Sequence, residues 1–104
     1  MEAEKDAKEF EEFIDVEAYS KAGKEVPKGK KYLIRVDKAF YKVNAECATG
    51  KEILTLAGKE PFERFQLNQK VKGAISKIGY DETVCFTKPG IERFMTIPLD
   101  QTEG

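Results

Sequence analysis

Between residues 30 and 98 short apolar runs alternate with polar breaks, and the period of each run predicts its conformation. In Tyr32-Leu33-Ile34-Arg35-Val36, the residues Tyr32, Ile34 and Val36 fall on one face and Leu33 and Arg35 on the other, which is the period of a β-strand. Phe40-Tyr41-Lys42-Val43 is a second such run, and the link through Asp37-Lys38-Ala39 is short enough for a hairpin. Thr49 and Glu52 then have the spacing of a reciprocal capping box, so a helix is predicted to start there. Ile53, Leu54 and Ala57 give it one apolar face, Gly58 suits the left-handed position just past its end, and Pro61 prevents extension. Further on, Phe65 and Leu67 share a face of a strand over 62–67, and 73–81 reads as loop with one short element around Ile75 and Ile78. Val84 and Phe86 point inward and Cys85 outward from a strand over 83–86, Pro89-Gly90 turns, and 91–97 is the last strand.

The resulting order, β-β-α-β-β-β, is an α+β arrangement in which a hairpin, a crossing helix and returning strands make one mixed sheet. A right-handed crossover through the helix brings the last strand parallel beside the first, which is a β-grasp fold. A ferredoxin-like sandwich needs a second substantial helix, and an all-β barrel has no place for the capped one. The predicted core is Ile34, Val36, Ile53, Leu54, Phe65, Leu67, Val84 and Phe86.

The amino-terminal residues read differently. From Glu2 to Phe13 helix formers dominate, with Phe10, Phe13 and Ile14 on a thin apolar stripe. Gly23, Pro27 and Gly29 then break regular structure among interleaved lysines. The expected division is an acidic arm and connector over 1–29, a domain over 30–97 and an extended tail over 98–104. Phe10, Phe13 and Ile14 are candidate contacts for a partner or for self-association of the chain, and the arm is expected to add little to the domain's stability.

Composition narrows the chemistry. A chain of 104 residues with 40% hydrophobic and 36% charged residues can close one small core. Histidine is absent and Cys47 and Cys85 lie far apart, which removes Ser-His-Asp and Cys-His pairs and the usual zinc sets. No glycine spacing matches a phosphate loop. The expectation is therefore a protein that is not an enzyme and takes no cofactor or metal. Without an apolar leader or long apolar run, neither secretion nor a membrane span is expected, the cytoplasm is the expected location, and both cysteines are expected as thiols. Net charge is −1, but residues 1–26 hold nine acids against four lysines, leaving +4 for 27–104. The lysines are scattered and no aromatic-and-basic signature accompanies them, so no nucleic acid is expected as partner.

Four blocks carry a resemblance to a known family. Lys31-Tyr-Leu-Ile-Arg-Val-Asp-Lys38, Thr49-Gly-Lys-Glu-Ile-Leu-Thr-Leu-Ala-Gly58, Phe65-Gln-Leu-Asn-Gln69 and the block from Pro89 to Gly104 resemble the bacterial multiubiquitin family over about residues 15–104. That family is similar to ubiquitin in fold. Its members lie near homologues of ubiquitin-activating and ubiquitin-conjugating enzymes and of metalloprotease-type isopeptidases. The resemblance implies a ubiquitin-like modifier whose Gly104 carboxylate is joined to target lysines, with Leu99, Asp100, Gln101, Thr102 and Glu103 as the recognised tail. A defence setting, such as action against phage, is implied by family analogy alone. A side-chain-poor end suits passage through a confined adenylating site, because glycine has no Cβ to obstruct it. The tail departs from ubiquitin's, which ends in two glycines after basic residues, so acidic Glu103 and Asp100 require enzymes with basic contacts of their own. A sulfur carrier and a noncovalent docking module on the same fold are the alternatives.

Overall fold

The computed structural model describes residues 13–29 and 31–99. Its strands are β1 (Ile14–Asp15), β2 (Tyr32–Val36), β3 (Ala39–Val43), β4 (Cys47–Thr49), β5 (Phe65–Val71), β6 (Ala74–Ile78), β7 (Thr83–Cys85) and β8 (Ile91–Pro98). Two helices, α1 (Val16–Lys21) and α2 (Gly50–Leu56), and a 3₁₀ turn at Phe62–Arg64 complete the described elements.

The hairpin β2–β3 pairs along all five residues, from Tyr32 opposite Val43 to Val36 opposite Ala39. A strand has only two edges, so every other neighbour of β2 must use the second one. Two do: β1 runs parallel beside Tyr32 and Leu33, and β8 runs parallel at Val36 opposite Phe94. β8 in turn pairs antiparallel with β5 from Pro98 to Ile91, and β5 with β6. The last strand thus lies beside the first strand of the hairpin, as a β-grasp requires. α2 begins at a capping box, in which Thr49 N donates to Glu52 Oε1 and Glu52 N donates to Thr49 Oγ1. It ends before Gly58 at φ +77, a backbone angle that costs glycine nothing. Its Ile53 and Leu54 are fully buried against Ile34, Val36, Leu67, Phe86 and Phe94 in one continuous core.

Several expectations change. The segment 73–81 holds a full strand, β6, because Lys72 and Gly73 take φ 51 and 85 as the two central residues of a tight hairpin turn. Of the expected core, Phe65 is only partly buried, while Tyr32, Ile78, Ile91 and Phe94 join it fully.

The boundary expected at residue 30 does not match the packing. β2 and β8 meet only near Val36, and the gap that opens between them is occupied by β1 and α1. Val16 is 1% exposed and Val26 6%, both within the main core, so residues 14–26 are an element of the fold and not a solvated connector. Glu17 is buried and accepts from Arg35 Nη1 at 3.1 Å, with Lys21 Nζ at 3.2 Å, and Ser20 Oγ donates to Ile91 O. Tyr32 Oη donates to Pro27 O at 2.8 Å, fixing the end of this segment to β2.

The expectation of two thiols is also corrected. β4 and β7 form a separate two-stranded sheet with Cys47 opposite Cys85, and their sulfurs are joined in a disulfide. Only the folded topology sets these two positions side by side, across 38 residues of sequence.

Candidate functional site

β8 is the strand that leads into the expected tail, so its geometry decides where such a tail would begin. Asp37, in the β2–β3 turn at φ 56, holds β8 from one side. Its backbone N donates to Phe94 O at 2.8 Å, and its carboxylate accepts from Thr96 N at 2.9 Å and from Thr96 Oγ1 at 2.6 Å. Lys59 Nζ stands 4.0 Å from the same carboxylate. These charge-assisted bonds fix the register of β8 at a position where β2 offers few backbone partners.

On the other side β5 pairs with β8 as far as Phe65 opposite Pro98. Proline has no N–H to continue a ladder, but the next residue does. Leu99 N donates to Arg64 O at 2.8 Å, and Leu99 lines a shallow cleft with Gln66, Ile78, Gly79 and Tyr80. Tyr80 Oη closes that corner by donating toward Phe65 O at 2.7 Å and Glu63 O at 3.3 Å. Leu99, expected as part of the extended tail, is instead half-buried and tied to the 3₁₀ turn. Asp100, Gln101, Thr102, Glu103 and Gly104 lie outside the described residues.

The candidate partner contacts separate. Phe10 lies outside the described residues. The Phe13 ring has Lys42 Nζ at 5.3 Å and Lys31 Nζ at 5.9 Å from its centroid, and Ile14 packs against the core from β1. Phe13 and Ile14 are thus engaged within their own domain.

Sequence reading missed Asp37, Arg64 and Tyr80 as the groups that hold the exit. Asp37 left a signal, since an Asp in a two-residue turn tolerates the left-handed region. Arg64 acts through its carbonyl and Tyr80 through contacts across the fold, and neither role has a local pattern.

Among the described residues no group of three His, Cys, Asp or Glu is placed to hold a metal ion. No helix among them is long and apolar enough to cross a membrane.

A mixed sheet in which β8 lies parallel beside the first strand of the β2–β3 hairpin, with a capped helix buried against it, defines a ubiquitin-like β-grasp protein. The family model for multiubiquitin matches residues 32–98, and the chain belongs to the multiubiquitin family. No curated protein and no solved structure matches it.

Proposed function

We propose that the chain is a ubiquitin-like protein modifier, joined to target lysines through the carboxyl group of Gly104. The observation that carries this reading is the multiubiquitin match over the β-grasp domain. The route of the chain supports it: the sheet and the match both end at Pro98, and the last backbone tie described is at Leu99.

In the proposed chemistry a Gly104 carboxylate oxygen attacks the α-phosphorus of ATP on a ubiquitin-activating-like enzyme and releases pyrophosphate. A cysteine thiolate then displaces AMP, and after transfer to a conjugating-like enzyme the thioester is attacked by a lysine amine. An isopeptide bond forms and the thiolate leaves. The thiolate and amine attacks each need the carbonyl carbon within about 3–3.5 Å of the nucleophile, which favours a tip without a side chain. Asp100 and Glu103 would be read by basic residues of those enzymes, and a metalloprotease-type isopeptidase would reverse the bond. In this scheme the protein is a substrate and its own residues catalyse nothing.

The test is intact mass after incubation of the polypeptide ending at Gly104 with the activating-like and conjugating-like enzymes, ATP and a lysine-bearing target. Adducts of modifier plus target are expected, and deleting Gly104 or introducing Gly104→Asp should abolish them while leaving the thermal melt unchanged. Adducts at full yield without Gly104 would falsify the mechanism. A gain of sulfur for oxygen would identify a sulfur carrier, and no covalent change would leave the noncovalent module.

A further inference from the structure

The small sheet β4–β7 is an appendage with its own construction. It has three residue pairs, Cys47 with Cys85, Ala48 with Val84 and Thr49 with Thr83. Ala48 and Val84 are buried in the core, whereas both cysteines are only partly buried, on the opposite face. A solvated two-stranded ribbon of this length is marginal without further support. Three further backbone bonds flank it: Phe86 N to Glu46 O at 2.9 Å, Gly50 N to Glu82 O at 3.0 Å and Lys51 N to Tyr80 O at 2.9 Å.

Gly50 keys the helix start to the 79–82 loop independently of the sulfurs. A Cβ on Gly50 would stand 2.3 Å from Gly79 O, so the two backbones are in direct contact. Glu82 Oε1 accepts from Gly79 N at 2.9 Å and keeps that loop closed. The two cysteine positions are thus held opposite each other by bonds and contacts that contain no sulfur.

We propose that Cys47–Cys85 is a reversible redox fastener of the β4–β7 sheet, cleaved by a dithiol reductant and re-formed intramolecularly by exchange with a small-molecule or protein disulfide, which takes up the two electrons and two protons. A reductant thiolate attacks one sulfur, forming a mixed disulfide and expelling the other cysteine as a thiolate, which takes up a proton. The second thiol of the reductant, after losing its proton, displaces the first cysteine, so two electrons and two protons pass to the protein and the reductant leaves as a disulfide. The main sheet does not depend on this bond, since the β2–β8, β5–β8 and β5–β6 ladders contain neither strand. Reduction therefore loosens 46–50 and 82–87 locally, including the capped start of α2, and leaves the central strands closed. The flanking bonds keep the thiols near one another, which favours closure within one chain over exchange between chains.

The experiment equilibrates the full chain in dithiothreitol buffers of graded oxidised-to-reduced ratio. Alkylation with intact mass reports the sulfurs, and hydrogen exchange reports each strand. The expected result is a single reversible two-electron transition, with monomeric disulfide regained on reoxidation. Exchange in 46–50 and 82–87 rises on reduction at least about tenfold more than exchange in β5 and β8. Cys47→Ser combined with Cys85→Ser should reproduce the reduced pattern with no reductant present. Equal exchange in both states, a rise in β5 and β8 as large as that in 46–50 and 82–87, or reoxidation chiefly to disulfide-linked dimers would each overturn the proposal.

Discussion

Two pieces of this chain lie outside the hairpins of the main sheet, and they are held by different means. Residues 14–26 enter the gap between β2 and β8 and stay there by burial: Val16 and Val26 go into the core, and Glu17 is covered with its charge met by Arg35 and Lys21. Residues 47–49 and 83–85 bury just two small or medium side chains, Ala48 and Val84, and are joined by a covalent bond instead. Apolar area explains the difference. Burying a valine contributes roughly 1.5–3 kcal/mol, whereas an alanine has too little surface to hold a strand. Where area is short, a covalent closure adds to the flanking backbone bonds in keeping two short strands together.

The harshest test of this contrast is removal of residues 1–26. Loss of Val16, Val26 and the Glu17 pair opens the gap between β2 and β8 in a domain whose total stability should be no more than about 10 kcal/mol. The truncated chain should lose its cooperative thermal melt, and a melt like that of the full chain would return this segment to the status of a connector. Second in size is the fastener. Replacing both cysteines by serine should cost about 4 kcal/mol by the entropy of a 38-residue loop, read as a lower urea midpoint with a cooperative transition retained. A collapse as complete as that of the truncation would erase the distinction between the two pieces.

Val16→Ala should cost about 2 kcal/mol, because the gap that α1 fills is bounded by strands and cannot close over a missing pair of methyls. A cost within about 0.5 kcal/mol in denaturant titration would mean that α1 is held by its polar contacts and not by burial. The smallest effect concerns Tyr32, which ties Pro27 to β2. Burial pushes its hydroxyl above the ordinary tyrosine value, Glu46 adds to the shift, and the Gly29 backbone opposes it. Above about pH 10 the unfolded chain ionises this group and the folded chain resists doing so, so stability is flat below that pH and falls as pH rises through it. Tyr32→Phe should flatten that alkaline limb, and an identical limb in the variant would remove Tyr32 as its cause.

How much of this was legible depended on distance along the chain. Thr49 and Glu52, Gly58 and the alternation of Tyr32, Ile34 and Val36 act on neighbours within a few residues, and each was readable in place. The parallel return of β8 followed from chain connectivity once the helix was placed. The wedge of 14–26 was hidden because Val16 and Val26 are isolated apolar residues among charged ones, and only the gap between two diverging strands gives them a role. β4 and β7 are three residues each, shorter than any pattern can register, and their pairing depends on contacts across the whole domain. The hairpin at Lys72-Gly73 did leave a signal, but the lysine masked it, since a positive φ is less expected there than at Asn or Asp. Of the candidate site, the route through Pro98 was readable, while the tie at Leu99 required Arg64 to be brought beside it.

The position of β8 has a consequence for the order in which this protein can mature. Among the described strands of this sheet it is made after all the others, and it is also the one that joins the hairpin half of the sheet to the β5–β6 half. Until residues 91–98 have emerged during translation, the two halves share no ladder among the described residues, and Ile91 and Phe94 are missing from the core. Non-local closure of this kind comes late in folding. Under the proposed modifier reading, whatever follows this strand would reach an activating enzyme only from a finished domain, so the topology itself would separate folded copies from nascent or misfolded ones.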